Sequence, residues 1–151
     1  MKFMAMLLML AVPFTFTACG DDDDDDVEKA IENIENGKLK PTVTYNEGKD
    51  QLTLTAVYKG VMTESHVAKF DANGKLTSYI FSVTYASDNL ADEAWKEAQK
   101  DSDDDMEITR NGRTITADYT NMYAEIGTYD VIKRIFQELK QQYETGYDVT
   151  Q

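Results

Sequence analysis

Three observations predict an α+β fold, an antiparallel sheet of about six strands with helices packed on one face. Residues 51–85 alternate apolar and polar side chains with a period of two, interrupted only by short turn-forming groups. Two later segments carry apolar residues at helical spacing, and one short hairpin lies between them. Strands that follow one another through tight turns, with no alternation of strand and helix, argue against a parallel sheet.

The elements follow in order. From Val27 to Asn36, Val27, Ala30, Ile31 and Ile34 fall on one helical face, with Asp26 available as N-cap and Gly37 to close the end. Pro41 stops any continuation, and Thr42 to Tyr45 runs as a first strand into the turn-forming group Asn46-Glu47-Gly48-Lys49. In Gln51 to Lys59, Leu52, Leu54, Ala56 and Tyr58 alternate with Thr53, Thr55 and Val57, the pattern of a strand with one buried face. Val61 to Phe70 continues in the same way, Asp71 to Lys75 turns, and Leu76 to Tyr85 completes a four-strand meander. Tyr79, Ile80, Phe81, Val83 and Tyr85 are β-branched or aromatic on both parities, which places this strand inside the sheet.

Ser87 or Asp88 caps a helix reaching about Lys100, with Leu90, Ala91, Ala94, Trp95 and Ala98 on one side and Trp95 as its expected anchor. After an acidic loop, Met106 to Arg110 and Arg113 to Tyr119 flank Asn111-Gly112, a strong hairpin signal. The last helix follows Thr128, with Ile132, Ile135, Phe136, Leu139 and Tyr143 as one apolar stripe, and ends at Gly146.

The chain has 151 residues, 42% of them apolar, which suits one domain with one core. Its formal charge of −13 excludes a role built on neutralising phosphates, so nucleic acid is not an expected partner. One Cys and one His leave no disulfide and no Cys/His zinc cluster. No cofactor or metal is expected.

Residues 1–20 read MKFMAMLLMLAVPFTFTACG: a Lys, an apolar run, then small residues before the only cysteine. This is the pattern of a signal peptide, too short and wrongly flanked for a spanning helix. Phe16-Thr17-Ala18-Cys19-Gly20 resembles the lipobox of bacterial lipoproteins, in its looser Bacteroides-type form where Phe16 stands in place of the commoner Leu. The resemblance implies a signal peptide over 1–18, acylation of Cys19 and anchoring in the outer membrane. Asp21, Asp22, Asp23, Asp24, Asp25 and Asp26 form a self-repelling tether, and an acidic run in this place is similar to the export signal of Bacteroides-type surface lipoproteins. The expected organisation is therefore 1–18 signal peptide, 19–26 lipidated Cys and tether, and 27–151 one α+β domain. Its order of hairpins and helices behind a lipobox is loosely similar to small bacterial lipoproteins of the YehR type. Over 27–151, 14 Lys+Arg stand against 22 Asp+Glu, a balance of −8 that favours cationic partners through long-range steering.

Catalytic patterns are hard to find. His66 shares the strand parity of Met62, Glu64, Ala68 and Phe70, while the neighbouring Ser65 points to the opposite face, so the two do not build a triad. Asp101, Asp103 and Asp105 open like a calcium loop, but Met106 stands where that loop needs Gly and Gly112 where it needs Glu. Glu64, Asp92, Glu107 and Asp118 are possible paired carboxylates, though a chain with 28 acidic residues supplies such pairs by chance. No nucleotide-binding, nucleophile-elbow or metalloprotease motif occurs. Tyr119, Met122, Tyr123 and Tyr129, clustered before the last helix, are the candidate binding surface, although packing over the sheet edge is the favoured explanation of the cluster. The function expected from the sequence is a non-catalytic, anchored, surface-exposed module that binds a protein, peptide or glycan. The alternative is an inhibitor or immunity lipoprotein that captures a cationic, lysozyme-like enzyme or toxin. A small secreted enzyme, its pocket gathering His66 with carboxylates from other strands, is a third.

Overall fold

The computed structural model describes residues 38–100, 102 and 104–145. Strands β1 (Thr42–Glu47), β2 (Gln51–Tyr58), β3 (Met62–Phe70) and β4 (Leu76–Tyr85) form an antiparallel meander. Helix α1 (Asp88–Ala98), the hairpin β5 (Glu107–Asn111) and β6 (Thr114–Asp118), and helix α2 (Tyr129–Thr145) follow. The six strands make one sheet in the order β1-β2-β3-β4-β6-β5, every pairing antiparallel. The α+β architecture read from the periodicity is the one observed. The segment 27–36 lies outside the described residues, as do Cys19, the six-aspartate run, Asp101, Asp103 and Gly146.

Strand parity decides the layers. Leu52, Leu54, Ala56 and Tyr58 of β2 turn inward, as do Ala68 and Phe70 of β3, and Tyr79, Phe81, Val83 and Tyr85 of β4. They meet Ile132, Phe136, Leu139 and Tyr143 of α2 and Leu90, Ala91 and Ala94 of α1 in one core. The Ser87 hydroxyl caps α1 by accepting from the Leu90 amide at 3.2 Å. The helix rests on Leu90, which is almost fully buried, whereas Trp95 is only partly buried against the core, a correction to its expected role as anchor. Alanines at 91, 94 and 98 bring the helix close to the sheet, so the large indole sits at the margin.

Two connections depart from expectation. The tight turn joining β5 and β6 is centred on Gly112-Arg113, one residue later than Asn111-Gly112, because Asn111 pairs with Thr114. Gly112 has φ +61° and Arg113 does not share it, the arrangement of a turn with glycine first. The connection from β6 to α2 does not leave the sheet. The Tyr119 amide donates to the Tyr79 carbonyl at 2.8 Å, and the Leu76 amide donates to the Gly127 carbonyl at 2.7 Å. At Gly127 an added Cβ would stand 2.7 Å from Leu76 Cβ and 2.6 Å from the Tyr123 carbonyl oxygen, so glycine is what lets this segment approach β4.

Candidate functional site

The two faces of the sheet differ in chemistry, and each holds one candidate. The inner face contains a buried polar chain. Glu64 and His66 project inward from β3 and are the buried polar residues among those described. His66 Nδ1 lies 3.0 Å from Tyr79 Oη and Nε2 lies 3.0 Å from Tyr143 Oη. Tyr143 in turn hydrogen-bonds the Glu64 carboxyl. If Tyr143 donates to Glu64, its oxygen accepts from His66 Nε2–H, which leaves Nδ1 to accept from Tyr79 O–H. The chain Tyr79, His66, Tyr143, Glu64 then satisfies each link once and fixes the imidazole as its neutral Nε2–H tautomer.

Burial explains the protonation states. With Phe81 and Phe136 rings packed against it at centroid distances of 4.5 and 5.8 Å, His66 cannot hold a charge easily, and desolvation pushes its pKa down to about 3. Desolvation likewise lifts Glu64 to about 7, against the smaller opposing effect of the Tyr143 hydrogen bond. Burial raises the nearby tyrosines, Tyr58 and Tyr85, with the Glu64 charge adding to it. The Tyr85 hydroxyl is buried with no hydrogen-bond partner among the described residues. As chemistry, this is a weak candidate for catalysis. The imidazole is 0% exposed, both its nitrogens are engaged by tyrosines, and Ser65 lies on the opposite face.

The expected tyrosine surface is also interior. Tyr119 and Tyr123 are buried, both packed against Tyr79 at centroid distances of 5.4 Å, so they are not an exposed patch. The physical reason is the hydrogen bonding of the segment to β4, which turns their rings over the inner face. Met122 and Tyr129 are partly buried against the same core. Tyr129 donates from Oη to the Gly48 carbonyl at 2.8 Å and stacks edge-on against Phe70, tying α2 to the first turn. Only Ile126 in this segment is an exposed large apolar residue.

Of the possible paired carboxylates, only Glu107 and Asp118 come together. Glu64 is buried, while Asp92 on α1 pairs with Arg110 at 2.7 Å. Glu107 and Asp118 are direct cross-strand partners on the outer face. Among the described residues no group of three or more His, Cys, Asp or Glu is placed to hold a metal ion. No helix among them is long and apolar enough to cross a membrane.

The outer face is the more open candidate, and sequence reasoning did not single it out. Its central row crosses all six strands as Thr44, Thr55, Ser65, Ser82, Thr116 and Thr109, each paired with the next. On one side runs Thr42, Val57, Thr63, Thr84, Thr114 and Asn111; on the other, Asn46, Thr53, Val67, Ile80, Asp118 and Glu107. The charges in these three rows are confined to Glu107 and Asp118, at one corner, and no aromatic ring is among them. Short β-branched and hydroxyl side chains make up most of these rows, and the central one carries a hydroxyl at every position. Both described helices pack on the other side, and Val57 here is 40% exposed. The signal that could have found it was present: Thr, Ser and Val hold most of the outward parity of β2 and β3, with Gln51 and Lys69 at one end. What aligns them into rows is the register, which periodicity alone does not fix.

Comparison with protein-family models, curated proteins and solved structures returns no match for this chain.

Proposed function

We propose that this chain is a non-catalytic lipoprotein, anchored in the outer membrane through acylated Cys19 and exposed at the cell surface, that binds a protein partner on the outer face of its sheet. The observation that carries the reading is the asymmetry of the sheet. One face is closed by α1 and α2 over an aromatic core, while the three rows of the other are poor in charge and uncovered by any described helix. The lipobox and the aspartate tether support the anchor and the outward orientation. Two or more acyl chains, at about 0.8 kcal/mol per buried methylene, give a firm anchor.

The chemistry of the face favours a protein over a glycan. Sugar rings are held largely by stacking on aromatic side chains, and the aromatic residues of the strands turn inward. Capture of a cationic enzyme, the other reading suggested by charge, draws less support. Asp88, Asp92, Glu93 and Glu97 of α1 are already matched by Arg113, Arg110, Lys96 and Lys100 of the same chain.

Protease shaving of intact cells tests the anchor and its direction. The protein is lost from shaved wild-type cells, is released from the membrane by Cys19→Ala, and is protected when Asp21 to Asp26 are replaced by Ser. Protection of the wild type would overturn the outward orientation. A purified hydrolytic activity abolished by one point mutation would overturn the non-catalytic reading.

A further inference from the structure

The outer face also indicates what kind of partner it takes, an inference that rests on the binding role just proposed. A protein of this acidity repels its own copies wherever charged surfaces meet. Over residues 27–151 the imbalance is −8, with acidic side chains on α1, α2 and the turns. The outer face is the exception. Sixteen of the eighteen residues in its three rows are Thr, Ser, Asn, Val or Ile, Glu107 and Asp118 being the other two. Two like-charged molecules can therefore approach there without placing carboxylates together over most of the contact.

Symmetry makes the argument specific. A twofold contact brings the same surface of both partners together. Stacked sheets lie about 10 Å apart with strands nearly aligned, and short side chains of this kind interdigitate across that gap. In the order β1-β2-β3-β4-β6-β5, the middle of the sheet falls between β3 and β4. A twofold axis running there along the strands sets β3 over the partner's β4, β2 over its β6 and β1 over its β5, row upon row. Ser65 then faces the copy's Ser82, and Val67 faces its Ile80, so the apolar pair is buried against itself. The acidic corner resolves too: Asp118 meets Thr53 and Glu107 meets Asn46 of the copy, rather than another carboxylate. We infer that the outer sheet face is a self-association surface, on which a second copy of this chain docks face to face through the Thr44–Thr109 row.

Single cysteines test this in the full-length, membrane-anchored protein. Ser65→Cys and, independently, Thr116→Cys are treated in intact cells with a short bis-maleimide, alongside Gln137→Cys on the exposed side of α2 and the parent chain, whose only cysteine, Cys19, is taken up by acylation in the proposed anchor. The expected result is a band at twice the chain mass from Ser65→Cys, weaker from Thr116→Cys, and none from Gln137→Cys or the parent. Two different variants guard against one failing to fold. Dimer bands of equal strength from Gln137→Cys, or none from either face variant, would overturn the inference. A monomer joined within itself in an Ile31→Cys/Ser65→Cys chain, in place of the dimer, would show residues 27–36 to be the occupant and also overturn it. Face-specific bands of another mass would overturn self-association yet leave the binding role standing, and labelling of both face cysteines with no joined product would overturn self-association alone, because the reagent joins only thiols.

Discussion

The inner and outer faces of this sheet are built from the same six strands and the same alternation, yet one is a core and the other a surface. Inward positions hold Leu52, Leu54, Tyr79, Phe81 and Val83, all nearly fully buried. Outward positions one residue away hold Thr53, Thr55, Ile80 and Ser82, none of them fully buried. The difference teaches that burial in this chain is set by what the helices cover rather than by strand identity: β4 is interior to the sheet, but Ile80 on its outer side is only half-buried. It also explains where polar groups are tolerated. Hydroxyls outside meet water or each other, as between Thr84 and Thr114 at 2.9 Å, whereas inside each must find a partner in a dry core.

The sharpest contrast comes from truncation. Phe136→Ala removes a fully buried ring that touches both His66 and Tyr79, and is expected to cost about 3–5 kcal/mol in urea unfolding. Ser65→Ala on the outer face is expected to change stability by less than about 0.5 kcal/mol. Equal losses would break the distinction between the faces.

Glu64 gives the distinction a pH dependence. Its folded pKa, near 7, lies above the ordinary value of 4.5, so between those values the folded state binds more protons than the unfolded chain. Stability from this group is complete below about pH 4.5 and falls as pH rises through 7, by about 3 kcal/mol in all. Glu64→Gln should flatten that fall and be the more stable protein at pH 8, which unfolding curves at pH 5 and 8 would show. Acidic residues elsewhere with lowered pKa values, such as Glu47 beside Lys133 and Asp88 beside Arg113, work in the opposite sense at lower pH. A difference between wild type and Glu64→Gln that does not grow from pH 5 to pH 8 would contradict the buried-carboxyl account.

Smaller effects sharpen it further. Tyr85→Phe deletes a buried hydroxyl with no partner among the described residues, and should be neutral or stabilising by about 1 kcal/mol in thermal unfolding. Glu107→Thr separates two carboxylates that face each other across β5 and β6, and should stabilise by a few tenths of a kcal/mol, more at low salt than at high.

Much of this was legible in the sequence, for identifiable reasons. The strict alternation in 51–58 and 62–70 set which side chains turn inward, His66 and Glu64 included, because a strand has only two faces. The helix start at Ser87 was legible because a hydroxyl just before an apolar-periodic run satisfies a free amide. The partner of His66 was not, since Tyr143 lies 77 residues away and only the docking of α2 brings it there. The direction of Tyr119 and Tyr123 was hidden because it depends on backbone hydrogen bonds to β4 that no local pattern signals. The hydroxyl rows needed the register of all five pairings at once.

The central claim is that the outer face is a contact surface and not part of the folding core. The most direct measurement is the urea-unfolding midpoint of the purified, detergent-solubilised protein carrying Thr55→Lys together with Ser82→Lys, at a concentration low enough for parent and variant both to be monomeric. The account predicts stability within about 1 kcal/mol of the parent, the scale of strand preference at exposed positions. A loss of several kcal/mol, as buried lysines would cause, would contradict it and show the outer face to be interior.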